Sequence, residues 1–220
     1  MDKRSIIFGT YNTALTGSWT LSGLELSSPG IQTYLVEVPG RDGPLDLSAA
    51  LTGEPRYTSR NLTVTLEDSN DDRPTRENRI REMIAELDGL AMKIWLPDDP
   101  DHYLWGRVRV VRNYNDLAHA AVTVTAICDP WLCNNEETVR TLTATSAAQN
   151  AKIVNSGRRT VVPEFVVTGG PVNLTSGGSS WTLSAGTYQL PDFVLRPGEL
   201  TLTYSGSGSI KITYREAVLL

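Results

Sequence analysis

Two cysteines and two histidines are all that this 220-residue chain has of the thiol and imidazole side chains that hold zinc or activate a nucleophile. Cys128 and Cys133 flank a short Asp-Pro-Trp-Leu segment, and no second pair of soft ligands stands at zinc-site spacing. The expectation is no metal and no cofactor, with the cysteines read as one buried strand position and one loop position in a reducing compartment. Long hydrophobic runs are also missing. Nothing approaches the roughly 20 apolar residues that cross a bilayer. Ile6, Ile7 and Phe8 make too short a run for a signal-peptide core of about 7–15 residues. A protein made in a cytoplasm, with no membrane segment, is expected.

Catalytic signatures are lacking too. There is no Gly-x-Ser-x-Gly elbow, phosphate-binding loop, dinucleotide glycine fingerprint or His-Glu-x-x-His helix. His102 lies in an acidic turn and His119 near the start of a strand, neither with a serine in triad context. No catalytic residue is assigned, and the chain is read as not an enzyme. Asp68, Asn70 and Asp72 have the spacing that opens a calcium loop, but Arg73 and Arg79 stand where that loop needs glycine and its closing glutamate. They read as a loop that also caps a helix. Asp98, Asp99 and Asp101 read as a surface turn. The net charge of −5 argues against a protein that grips nucleic acid by neutralising phosphates. That charge is uneven: residues 1–150 hold 14 basic and 21 acidic side chains, a balance of −7, and residues 151–220 hold 6 and 4, a balance of +2.

What the chain has in abundance is period-2 alternation. Leu62, Val64 and Leu66 share one face, as do Val108 with Val110 and Val122 with Val124, Ala126 and Cys128. Tyr34, Val36 and Val38 predict a half-buried strand from about Ile31. One stretch is helical instead. From Pro74 to Leu87, Ile80, Ile84 and Leu87 form a stripe, Asp72 is placed to cap it, and Gly89 to end it. Beyond Asn155-Ser156-Gly157 the chain is purely β, with short strands at Phe165–Thr168, Trp181–Leu183, Tyr188–Leu190 and Phe193–Leu195. Two more strands lie on either side of a reversal at Gly206-Ser207-Gly208. Such spacing predicts a β-sandwich. Trp181 and Tyr188 have the chemistry to stack on a sugar, yet aromatics in a small sandwich more often fill its core.

The stretch Val38-Pro39-Gly40-Arg41-Asp42-Gly43-Pro44-Leu45-Asp46 is the most specific in the chain. Its Pro-Gly and Asp-Gly pairs make a tight reversal. It resembles the hairpin of distal tail proteins from phages of Gram-positive hosts. Matches continue in the same order with Tyr57 and Arg60, a helix near Arg76, Lys93 to Leu96, Asp98-Asp99-Pro100, Tyr103 with Gly106-Arg107, and Cys128-Asp129-Pro130-Trp131. Asn155-Ser156-Gly157, Pro163, Gly186 to Pro191 and Pro197-Gly198 resemble that family's galectin-like module less specifically.

The resemblance implies a mainly β protein. Residues 1–132 would form a ring-forming, antiparallel sandwich or barrel-like domain with one packed α-helix, and residues 133–220 a galectin-like β-sandwich. It implies a structural subunit of a tail tip or baseplate, assembled in the host cytoplasm and carried in the virion. There it would form a hexameric ring between the tail tube protein and the tail-tip hub, with a receptor-binding protein as a further neighbour. DNA would only pass through the lumen. Arg41, Asp42 and Tyr57 are placed near subunit contacts. The alternative is a receptor- or carbohydrate-binding adaptor acting through the second module.

Overall fold

The computed structural model describes residues 5–16, 19–50, 52–68, 72–113 and 120–219. It divides into two compact units, one ending at Leu132 and one running Cys133–Leu219. Among the described residues no helix is long and apolar enough to cross a membrane.

The first unit opens with β1 (Ile7–Phe8), β2 (Tyr11–Asn12), α1 (Thr13–Thr16) and β3 (Thr20–Leu26). Then come β4 (Ile31–Gln32), β5 (Leu35–Val36), β6 (Leu45–Asp46) and β7 (Arg56–Tyr57), each only two residues long. The longer elements follow: β8 (Arg60–Asp68), α2 (Arg73–Leu87), β9 (Ala91–Leu96), β10 (Asp99–Asn113) and β11 (Ala120–Cys128). The main sheet has the antiparallel order β2-β1-β9-β10-β11-β8-β3. Alternation decides its faces: Leu62, Val64, Leu66, Val108, Val122 and Val124 are buried, and their strand neighbours Thr63, Arg107 and Thr123 are not.

Helix α2 closes over the buried face. Asp72 caps it, accepting from the Thr75 amide and, at 2.7 Å, from the Thr75 hydroxyl. That bond holds the Asp72 carboxyl below its ordinary pKa. Gly89, at φ 79°, follows the last turn. The buried stripe is Ile80, Met83 and Leu87, whereas Ile84 remains 36% exposed, so Met83 takes the place expected of Ile84. Two ion pairs fix the helix to the sheet: Arg79 to the buried Asp68 at 3.0 Å, and Arg112 bidentate to Glu77.

After the linking strand β12 (Leu132–Asn134), the second unit contains β13 (Thr138–Thr143), β14 (Gln149–Asn155), β15 (Glu164–Ser176), β16 (Ser179–Leu183), β17 (Gly186–Gln189), β18 (Gly198–Tyr214) and β19 (Ala217–Val218). Here the structure corrects two expectations. Gly206-Ser207-Gly208 does not reverse the chain; β18 runs through it and pairs with β15 on both sides. Phe193–Leu195 is not a strand, and Leu195 makes only a single bridge to Val161.

The two long strands instead bend together. Gly169 pairs with Gly208 and Val172 with Gly206, so β15 carries one extra residue, a bulge. The extra residue shifts the buried positions from Phe165 and Val167 to Val172 and Leu174, keeping both halves of the ribbon facing one core. A Cβ on Gly208 would lie 2.1 Å from the Gly170 carbonyl oxygen, so only glycine fits the bend. β13 and β17 flank the ribbon on one side of the bend, β14 and β16 on the other. The two layers enclose Phe165, Phe193, Leu174, Leu202, Ile210 and Ile212.

Candidate functional site

Between β3 and β8, which pair with each other, residues 28–50 and 52–59 lie outside the sheet as an arm. Its root is tightly tied. The Ser27 amide donates to the Asn61 carbonyl at 2.9 Å, the Asn61 amide to the Ser27 hydroxyl at 2.8 Å, and Arg60 Nε to the Ser27 carbonyl at 2.9 Å. Arg60 is 2% exposed, and burial lowers its pKa. Above the root, β4 and β7 pair Ile31 with Tyr57. The Tyr57 ring stands edge-on to Trp131, with centroids 5.4 Å apart, which braces the base.

The outer part is the β5–β6 hairpin, with Leu35 opposite Asp46 and Val36 opposite Leu45. Ser48 stiffens it: its hydroxyl accepts from the Tyr34 amide at 2.7 Å, and its amide donates to Asp46 Oδ1 at 2.8 Å. Hydrogen bonds from Ser48 hold the Asp46 carboxyl below its ordinary range. At the tip Gly40 and Gly43 have φ of 83° and 74°, as the Pro-Gly and Asp-Gly pairs predict.

Arg41 and Asp42 are exposed at that tip and make no ion pair among the described residues. Tyr57 is half-buried at the base, so the structure places the three residues on one arm but at its two ends. The arm's apolar side chains differ from expectation. The alternation of Tyr34, Val36 and Val38 predicts one face of a half-buried strand. Instead Tyr34 is 64% and Val38 41% exposed, only Val36 of the three is half-buried, and Ile31 and Leu35 are exposed as well. Alternation reports which residues share a face, but not whether anything covers that face. The sequence pattern marks Ile31 only as the start of a strand and gives no sign of Leu35. The signal present was the bracketing of so short a run by Pro29-Gly30 and Pro39-Gly40.

Other sequence candidates resolve differently. Asp68 is turned inward to Arg79, Asp72 caps α2, and Asn70 lies outside the described residues. Among the described residues no group of three or more His, Cys, Asp or Glu side chains is arranged to hold a metal. His102 Nδ1 lies 2.7 Å from Asp99 Oδ1, and His119 lies outside the described residues. Burial pushes the Cys128 thiol up to about 11, an inert group, and neither cysteine is in a disulfide. Trp181 and Tyr188 pack against the sandwich core, with the Trp181 ring against Phe193 at 5.5 Å.

No family model matches the chain, and no curated protein matches its sequence. Its structure, however, is similar to the crystal structure of the Dit protein (gp 19.1) of phage SPP1. That protein is described as a paradigm of the hub adsorption apparatus in phages infecting Gram-positive hosts. The match has a TM-score of 0.68 at 15% identity and covers 96% of this chain and 98% of that one. Coverage so complete on both sides leaves no large part of either fold unaccounted for, and this chain therefore has the fold of a phage distal tail, or Dit, protein.

Proposed function

We propose that this protein is a structural subunit of a phage tail tip, closing a hexameric ring that joins the tail tube to the tail-tip hub and adhesion apparatus. The observation that carries the reading is the Dit-like fold across nearly the whole chain. In this reading residues 1–132 form the ring and residues 133–220 a galectin-like sandwich. The tube protein, the hub protein and a receptor-binding protein are the neighbours. Assembly takes place in the host cytoplasm and the finished ring belongs to the virion.

A closed ring needs a head-to-tail contact between two different patches of neighbouring subunits. The arm supplies an obvious patch, since exposed apolar residues on a ribbon with no core of its own mark an interaction surface. Arg41 and Asp42 stand at the contact, and Tyr57, held by Trp131, sets the arm's base. The −7 balance of residues 1–150 keeps DNA from adhering as it passes, because acidic walls repel phosphate. The protein performs no catalysis in this role. A carbohydrate-binding adaptor would use Trp181 or Tyr188, and their packing against the core favours no such platform.

Electron microscopy of the purified protein tests the reading directly. Six-fold rings with a central opening are expected, alone or on addition of the tail tube protein. Particles that remain single copies in both conditions count against it.

A further inference from the structure

An exposed isoleucine at a sheet edge needs no explanation, but Ile127 lies on β11, paired on both sides by β10 and β8, and is 64% exposed. It belongs to the face turned away from the core. There a hollow of about 730 Å³ is lined by Thr63, Gly89, Arg107, Arg109, Thr125 and Ile127, among others. Its lining includes Ile127, two threonines and two guanidiniums. Arg107 donates to the Gly89 carbonyl at 2.5 Å, whereas Arg109 makes no ion pair among the described residues. With Asp88 included, the lining carries a balance of +1.

The arm is its counterpart in both properties. It presents Ile31, Tyr34, Leu35 and Val38 to solvent. Its charges are Glu37, Asp42, Asp46 and Glu54 against Arg41 and Arg56, a balance of −2. Arm and hollow are different patches, as a head-to-tail contact that propagates from copy to copy requires.

We infer that the arm of one copy seats in this hollow on a second copy of the chain. The arm's apolar side chains lie over Ile127 and the threonine methyls, and its carboxylates meet Arg107 and Arg109. The inference rests on the ring reading and names the surface that receives the arm. Opposite charge sets the register and speeds encounter, and apolar burial supplies the affinity.

The test places a photoreactive benzoylphenylalanine at Tyr34, an exposed position, in the full chain, and illuminates it at concentrations where light scattering reports an oligomer. Crosslinks between copies are expected to map to residues 107–109 or 123–127. Ile127→Asp should lower their yield about tenfold, the scale of a charge forced into an interface centre. Glu37→Arg and Arg109→Glu should each lower it several-fold, and the two together should restore it. Crosslinks mapping to another surface of an intact oligomer overturn this inference and leave the ring standing. A chain that stays single at every concentration, with no crosslink between copies, overturns the inference and removes the support of the ring reading in the isolated protein.

Discussion

The arm of the first unit and the bent ribbon of the second begin from the same ingredients. Each is a pair of antiparallel strands with alternating apolar residues and glycines at its change of direction. In the ribbon, flanking strands on both sides of the bend convert that alternation into a closed core, with Phe165, Leu174, Ile210 and Ile212 all buried. In the arm no strand among the described residues flanks the two, and Tyr34 and Leu35 remain mostly in water. Alternation is thus a statement about faces, and coverage is a separate fact. A ribbon that is covered stabilises its own unit, and one that is not is free to stabilise an assembly.

Breaking the ribbon should have the largest effect. Phe165→Ala leaves a cavity beneath Phe193 and Trp181 and should destabilise the second unit by about 3–5 kcal/mol, read as a fall in urea midpoint by hydrogen exchange of β15 amides. Gly208→Val forces a side chain against the Gly170 carbonyl, and about 1–3 kcal/mol is expected from the same measurement. Less should come from acid. The Asp72 and Glu77 carboxyls are held below their ordinary values of 3.8 and 4.5, chiefly by the hydrogen bonds from Thr75 and Arg112 respectively. A depressed folded pKa means stability present above the ordinary value and lost as pH falls through the depressed one. Helix α2 amides should therefore lose protection as pH falls below about 4, less steeply in Glu77→Gln. Protection factors, taken relative to intrinsic exchange at each pH, that stay flat there would remove these contacts from the account. The smallest effect on stability should be in the arm, where Leu35→Ser should stay within about 0.5 kcal/mol of the parent in thermal unfolding. A larger loss would mean that the arm belongs to the core after all.

Much of this fold is legible in the sequence where one physical signal acts alone. The helix is one such place, because Asp72, Pro74 and Gly89 punctuate it. The strands Arg60–Asp68 and Ala120–Cys128 are others, alternating without interruption. The sequence is silent where irregularity intervenes. β3 escapes notice because a register shift between Leu21 and Gly23 breaks its alternation, so that Leu21, Leu24 and Leu26 meet Leu66, Val64 and Leu62 at uneven spacing. The bend in β18 is read as a turn because two closely spaced glycines serve either conformation, and only pairing with a bulged partner decides. For the arm, the turn chemistry around Arg41 and Asp42 is legible and its exposure is not. Exposure depends on which strands lie alongside, and that information is spread over the whole chain.

The central claim is that the arm serves assembly rather than folding. Its most direct test compares the mass of the parent protein with that of an Ile31→Ser, Leu35→Ser double variant by light scattering across concentration. The parent should reach a closed oligomer near six times 24.1 kDa, while the variant should stay at 24.1 kDa with an unchanged melting temperature. A variant that forms the same oligomer as the parent would contradict the account.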